Sequence, residues 1–297
     1  MKRWMIGVMV ASGMFAAAVA AEPIVVGGKN FTEQFLLAEM AALLLEDAGY
    51  EVDLRTGVGS SLARKSLING AFDLYYEYSG TAYTVYYKKK DRSVMTDRER
   101  VLEWVRKHDA KKGLVWLDPL PFNNTYTLIM RRAEAEEKGI DTISALASHV
   151  QNHPQDLAFG MNSEFWERPD GFKRLMKTCG FRVPYGQIRK MSTGLVYKAL
   201  RDGQLDVAMG FATDGRIAAF DFVTLEDDCD FFPVYNPAPV VREAALEQYG
   251  GIREALAPLA EHLDTETIRE LNSEVDIHHR DERAVAREWM TKEGILP

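Results

Sequence analysis

Along most of the chain the apolar positions switch between the two periods that mark helices and strands. Ile24 to Gly27 is a short apolar run, and Leu36, Leu37, Met40, Leu43 and Leu44 follow at helical spacing until Gly49. The segment between them, Gly28 to Glu33, reads as a glycine turn into that helix, with Asn30 and Glu33 spaced as a capping box. Glu51 to Arg55 alternates as a strand does. Ser60 or Ser61 opens a second helix and Gly70 stops it. Ala71 to Tyr76 then predicts an aromatic-rich strand, and Ser79-Gly80-Thr81 a turn whose hydroxyls can cap a third helix. Strand, helix, strand, helix, strand, helix predicts an α/β fold with a parallel sheet, in which ligands bind beyond the carboxyl ends of the strands. Lys29 and the turn at Ser79 both follow strand ends, so they fall on one rim.

The pattern then breaks and restarts. Arg98 to Lys112 is a charged amphipathic helix, and Leu114 to Leu117 and Thr125 to Met130 are strands. The stretch between those strands, Asp118 to Asn124, holds two prolines and two asparagines and predicts a crossing between domains. From Ile143 helices and strands alternate again as far as Met209. Phe232 to Pro239 reads as the return crossing, and the tail from Glu243 to Ile295 is helical. The expected division is one lobe of residues 22–123 plus 236–297 and a second of residues 124–235. An internal echo supports two similar halves: Gly70-Ala-Phe-Asp-Leu74 precedes Tyr78-Ser-Gly-Thr81, and Gly203-Gln-Leu-Asp-Val207 precedes Phe211-Ala-Thr-Asp-Gly215.

The N-terminus sets the expected compartment. Lys2 and Arg3 precede an uncharged apolar run from Trp4 to Ala17, and small residues at Ala18 to Ala21 suit a cleavage site. Residues 1–21 therefore read as a secretory signal peptide, too short in its apolar core for a membrane anchor. The chain carries 36 basic and 44 acidic residues, and removing Lys2 and Arg3 leaves 34 against 44, a net charge of −10. So acidic an exported chain is a poor partner for nucleic acid, which needs a basic face. Cys179 and Cys229 are the only cysteines. In an oxidising compartment they form either a disulfide or two buried thiols.

Motifs for chemistry are missing. No GxSxG or HExxH is present, adjacent His278 and His279 rarely face one ion, and Glu226 to Asp228 lacks a calcium-loop pattern. No cofactor or metal is expected, and the missing motifs argue against a periplasmic enzyme acting on a small zwitterion; a sensor stays open.

Six segments, in order, resemble one family. They are Gly28-Lys-Asn-Phe-Thr-Glu-Gln34, Glu77-Tyr-Ser-Gly-Thr-Ala82, Phe122-Asn-Asn-Thr-Tyr126, Arg168-Pro-Asp-Gly171, Thr213-Asp-Gly-Arg-Ile217, and Leu225-Glu-Asp-Asp228 with Phe232-Pro-Val-Tyr235 and Ala238 to Arg242. Together they resemble the substrate-binding proteins of ABC importers for glycine betaine, choline and related osmoprotectants. The resemblance implies a two-lobed periplasmic binding protein of type II that works as a monomer and delivers its ligand to an inner-membrane permease. It also implies an aromatic cage for a quaternary ammonium group at Tyr78, Tyr126, Phe211 and Tyr235, and a carboxylate site at Lys29, Thr81 and Arg168. Members often carry tyrosine where this chain has Phe211; a phenyl face still attracts a cation but has no hydroxyl to offer. Such a cage suits a trimethylammonium ion, which has no N–H donors and is held better by ring faces than by salt bridges.

Overall fold

The computed structural model describes residues 22–297, so the signal-peptide reading of residues 1–21 lies outside the described residues. Ten strands are present among them: β1 (Ile24–Lys29), β2 (Val52–Val58), β3 (Leu74–Tyr78), β4 (Leu114–Trp116), β5 (Tyr126–Arg131), β6 (Phe159–Met161), β7 (Ile188–Lys190), β8 (Val207–Phe211), β9 (Phe222–Thr224) and β10 (Pro237–Arg242). They form two five-stranded sheets, ordered β2-β1-β3-β10-β4 and β7-β6-β8-β5-β9. The expected two-lobed α/β architecture is therefore present.

The sheets are mixed rather than parallel. β1, β2 and β3 run parallel, and so do β6, β7 and β8; but β10 pairs antiparallel with β3 and β4, and β5 pairs antiparallel with β8 and β9. The reason lies in the connections. β5 and β10 are each entered from the crossing between lobes, so they run away from the cleft while β1, β3, β6 and β8 run toward it. Strand starts thereby meet strand ends: Tyr126 is registered opposite Phe211, and Pro237 opposite Tyr78.

The two crossings lie side by side. Asn123 Oδ1 accepts from the Tyr235 backbone N–H (2.7 Å), the Asn124 N–H donates to the Tyr235 carbonyl (3.1 Å), and Asn236 Nδ2 donates to the Phe122 carbonyl (2.6 Å). A β-carbon on Gly80 would stand 2.4 Å from the Val234 carbonyl oxygen, so glycine is what lets the turn after β3 pack against the return crossing.

The echo between Gly70–Thr81 and Gly203–Gly215 is a structural repeat. Gly70 and Gly203 both adopt positive φ (77° and 72°), and each is followed three residues later by an aspartate that docks on the neighbouring strand segment. Asp73 accepts from the Val25 N–H (2.9 Å) and Asp206 from the Ala158 N–H (2.7 Å). Arg242 and Arg131, the last residues of β10 and β5, pair with these two aspartates. Docking of Asp73 also explains why β3 starts at Leu74 rather than Ala71.

Helix Thr32–Asp47 is buried on almost every side, which its leucine-rich sequence permits. One side packs on β1 and β2, and helices Ile252–His262, Thr265–Asp276 and Glu282–Lys292 cover the other. The C-terminal tail thus belongs to the first sheet's core. In the second lobe Cys179 and Cys229 are joined as a disulfide, with Cα atoms 6.0 Å apart.

Candidate functional site

Between the lobes lies a cavity of about 470 Å³. All seven residues singled out in the sequence line it: Lys29, Tyr78, Thr81, Tyr126, Arg168, Phe211 and Tyr235. They come from the ends of β1, β3 and β8, the start of β5, the return crossing and a loop between two short helices, so strand direction alone brings most of them together.

The cations of this wall are not free. Lys29 forms a buried ion pair with Glu77, which also accepts from the hydroxyls of Tyr75 (2.6 Å) and Tyr86 (2.7 Å). Arg168 grips Asp170 with two parallel hydrogen bonds (2.8 and 2.7 Å), donates to Thr81 Oγ1 (3.2 Å) and reaches Glu164 (3.2 Å). Burial alone would push the Asp170 carboxyl up, but Arg168 beside it outweighs burial and holds it below the ordinary carboxylate value. Asp170 further accepts from the hydroxyls of Thr84 (2.6 Å) and Tyr235 (2.7 Å).

The aromatic rings already show what they attract. The Arg168 guanidinium carbon stands 5.1 Å from the Tyr126 ring centre and 5.8 Å from that of Tyr235, and Lys29 Nζ lies 4.9 Å from the Tyr78 ring. Tyr126 packs on Phe165 (4.7 Å between centres), Phe211 (4.8 Å) and, edge-on, Tyr235 (5.9 Å).

The structure adds residues that sequence reasoning missed. Phe31 lines the cavity and stacks on Phe211 from the opposite lobe at 5.5 Å. Glu33 does not close a capping box; the helix N-cap is Phe31 and has no side-chain cap. Instead the buried Glu33 carboxylate accepts from Tyr78 (2.6 Å), Asn124 Nδ2 (2.9 Å) and, across the cleft, Thr213 (2.5 Å). Burial pushes its carboxyl up against the pull of these donors. Glu164 joins the lobes by accepting from Ser60 (2.6 Å). Glu33 sits within the Gly28–Gln34 segment, but nothing local distinguishes a cap from a cross-lobe acceptor; Glu164 and Lys190 carried no local signal.

A second junction stands behind the first. Arg216 of the second lobe bonds Asp214 and reaches Asp276 of the first at 3.1 Å, and Thr32 donates to Asp276 (2.8 Å). Burial pushes Asp276 up to about 6 in spite of Arg216. A carboxyl raised in the folded state stabilises fully below its ordinary value of 3.8 and loses that contribution as pH rises through about 6. Wild type is therefore expected to gain stability relative to Asp276→Asn as pH falls from 6 to 4. Denaturant melts of both proteins across that range check it; parallel profiles would refute it.

Residues 22–292 match the model of the substrate-binding domain of ABC-type glycine betaine transport systems. The chain belongs to this family. Members of this family are transporter binding components rather than enzymes, and this chain is the substrate-binding component of such a system. It is 37% identical to a glycine-betaine-binding protein of Pseudomonas aeruginosa, covering 96% of this chain and 93% of that one. It is 28% identical to the glycine betaine-binding protein YehZ of Escherichia coli, over 99% and 98% of the two chains. An ergothioneine transport permease/binding protein of Helicobacter pylori is 32% identical over 94% of this chain and 49% of its own length. Among solved structures, a glycine betaine/carnitine/choline ABC transporter structure superposes with a TM-score of 0.74 at 30% identity, covering 92% of this chain and 100% of that one. Unliganded YehZ superposes with a TM-score of 0.68 at 29% identity, over 93% and 100%.

Proposed function

We propose that the family member described here captures a small quaternary ammonium compound between its lobes, in the periplasm, and hands it as a monomer to an inner-membrane permease. The ammonium group lies against Tyr78, Tyr126, Phe211 and Tyr235, with Phe31 extending the apolar wall. Lys29, Thr81 and Arg168 hold the far end when it is a carboxylate. The observation that carries this reading is the meeting of four aromatic rings and two buried cations, drawn from both lobes, in one cavity of ligand size. Rings that already hold Arg168 and Lys29 at cation–π distance have the electrostatic character that a ligand ammonium needs. Contacts to both lobes favour the closed arrangement, which gives a permease one shape to recognise. The relatives named for glycine betaine point to that compound as the first ligand to try.

The test is thermal unfolding with and without glycine betaine, choline and carnitine, because a ligand that binds only the folded state raises the melting temperature. A rise with at least one of them is expected. No rise with any of the three at millimolar concentration would overturn the proposal.

A further inference from the structure

The loop that leaves the aromatic wall of the second lobe is seated on the C-terminal tail. β8 ends at Phe211, and the residues after it meet helix Thr265–Asp276 of the first lobe. Arg269 Nε donates to the Ala212 carbonyl (2.9 Å), Asn272 Nδ2 donates to the Thr213 carbonyl (2.9 Å), and Asp276 pairs with Arg216 (3.1 Å). Arg269, Asn272 and Asp276 are spaced to share one helix face. Between these contacts the two backbones meet at Gly215. A β-carbon there would stand 2.6 Å from Ser273 Cβ, and 2.9 Å from both Ser273 Cα and the Arg269 carbonyl oxygen. Gly215 has φ −62° and ψ −23°, angles open to any residue, so the glycine serves close approach rather than backbone conformation. No rotamer change relieves a clash with backbone atoms. The same helix also holds the facing ring of the first lobe. Phe31 stacks on Phe211 at 5.5 Å, and its neighbour Thr32 donates to Asp276 (2.8 Å). Helix Thr265–Asp276 is thus tied to the residue that follows each of these two rings.

We propose that Gly215 is a positioning residue: its bare backbone lets helix Thr265–Asp276 seat the loop after β8, and this seat sets how closely the lobes meet and brings Phe211 to the rings of the first lobe. For its ligand the role rests on the quaternary ammonium reading above. Ala212, Gly215, Arg269 and Ser273 do not line the 470 Å³ cavity, so the seat acts on closure and not on the ligand directly. A contact that only shifts the closed population scales every ligand's affinity by one factor, whereas a contact to the ligand changes their ratios.

The experiment compares wild type with Gly215→Val and Arg269→Ala in the full mature chain. Small-angle X-ray scattering with and without ligand reads closure, calorimetry with glycine betaine, carnitine and choline reads affinity, and urea unfolding reads stability. Gly215→Val is expected to keep a larger radius of gyration than wild type. It should weaken every ligand that wild type binds by one common factor of about tenfold or more. Arg269→Ala, an exposed change that leaves the glycine in place, should weaken them all by about threefold, with a urea midpoint close to wild type. An unchanged radius in Gly215→Val, unchanged affinities, or losses that differ more than about threefold among the ligands would each overturn the positioning role while leaving the ligand class intact. Should Gly215→Val fail to fold, the affinities of Arg269→Ala decide. Should wild type bind none of the three, the quaternary ammonium reading falls, and the radius without ligand still tests the seat.

Discussion

Asp170→Ala is expected to weaken ligand binding by about 100-fold or more. Removing one partner of a buried ion pair costs about 3–5 kcal/mol, because the remaining charge stays desolvated, and each 1.4 kcal/mol is about tenfold in affinity. Here the stranded charge would be Arg168, which keeps 3.2 Å contacts to Thr81 and to the partly exposed Glu164. Asp170 is also where Thr84 and Tyr235 converge from the first lobe and the crossing. Opening the cleft would let water reach Arg168, so most of the cost falls on the closed form. The loss should therefore appear mainly in calorimetric affinity and only weakly in unfolding by urea. An affinity within threefold of wild type would show that the pair does not hold the lobes together.

Tyr126→Leu separates packing from attraction at the centre of the aromatic wall. Full truncation to alanine would remove a buried ring touching Phe165, Phe211 and Tyr235 and cost about 3–5 kcal/mol in stability, obscuring any effect on binding. Leucine keeps most of the volume and loses the π face. A desolvated cation–π contact contributes about 2 kcal/mol, so affinity for a quaternary ammonium ligand is expected to drop between tenfold and thirtyfold. Tyr126→Phe keeps the face and should stay close to wild type. If leucine and phenylalanine bind alike, the ring at Tyr126 is structural packing and the cation sits elsewhere.

The residues that could be read from the chain are those whose role follows from position along a strand. Lys29, Tyr78 and Phe211 end their strands and Tyr126 begins one; the pattern of apolar positions put Lys29 and the turn after Tyr78 on one rim, whereas Tyr126 and Phe211 came from the family resemblance. Direction was less legible. Periodicity gives a strand's faces but not its sense, so the expected parallel sheet becomes mixed where β5 runs the other way, and β10, read only as part of the return crossing, adds a second antiparallel strand. Glu33 shows the other limit. Its spacing from Asn30 satisfies a local capping pattern, yet its hydrogen bonds go to Tyr78, Asn124 and Thr213, the last of these 180 residues away. Long-range acceptors compete with local ones, and only the folded chain decides. Arg168 lines the cavity, but its commitment to Asp170 depends on how the backbone turns through Pro169, which the motif Arg168-Pro-Asp-Gly171 does not reveal.

The insertion of β10 between β3 and β4 also governs the order of assembly. The second sheet is built from one continuous stretch, Tyr126 to Thr224, and all its strands exist before residue 237 is made. The first sheet lacks a central strand until Arg242 has emerged, and lacks the helices that cover Thr32–Asp47 until later still. In a chain delivered from its N-terminus, the lobe that begins first is thus completed last, and its leucine-rich helix waits uncovered for the tail. A chain cut before residue 237 retains every strand of the second sheet but leaves β3 and β4 with no strand to join them.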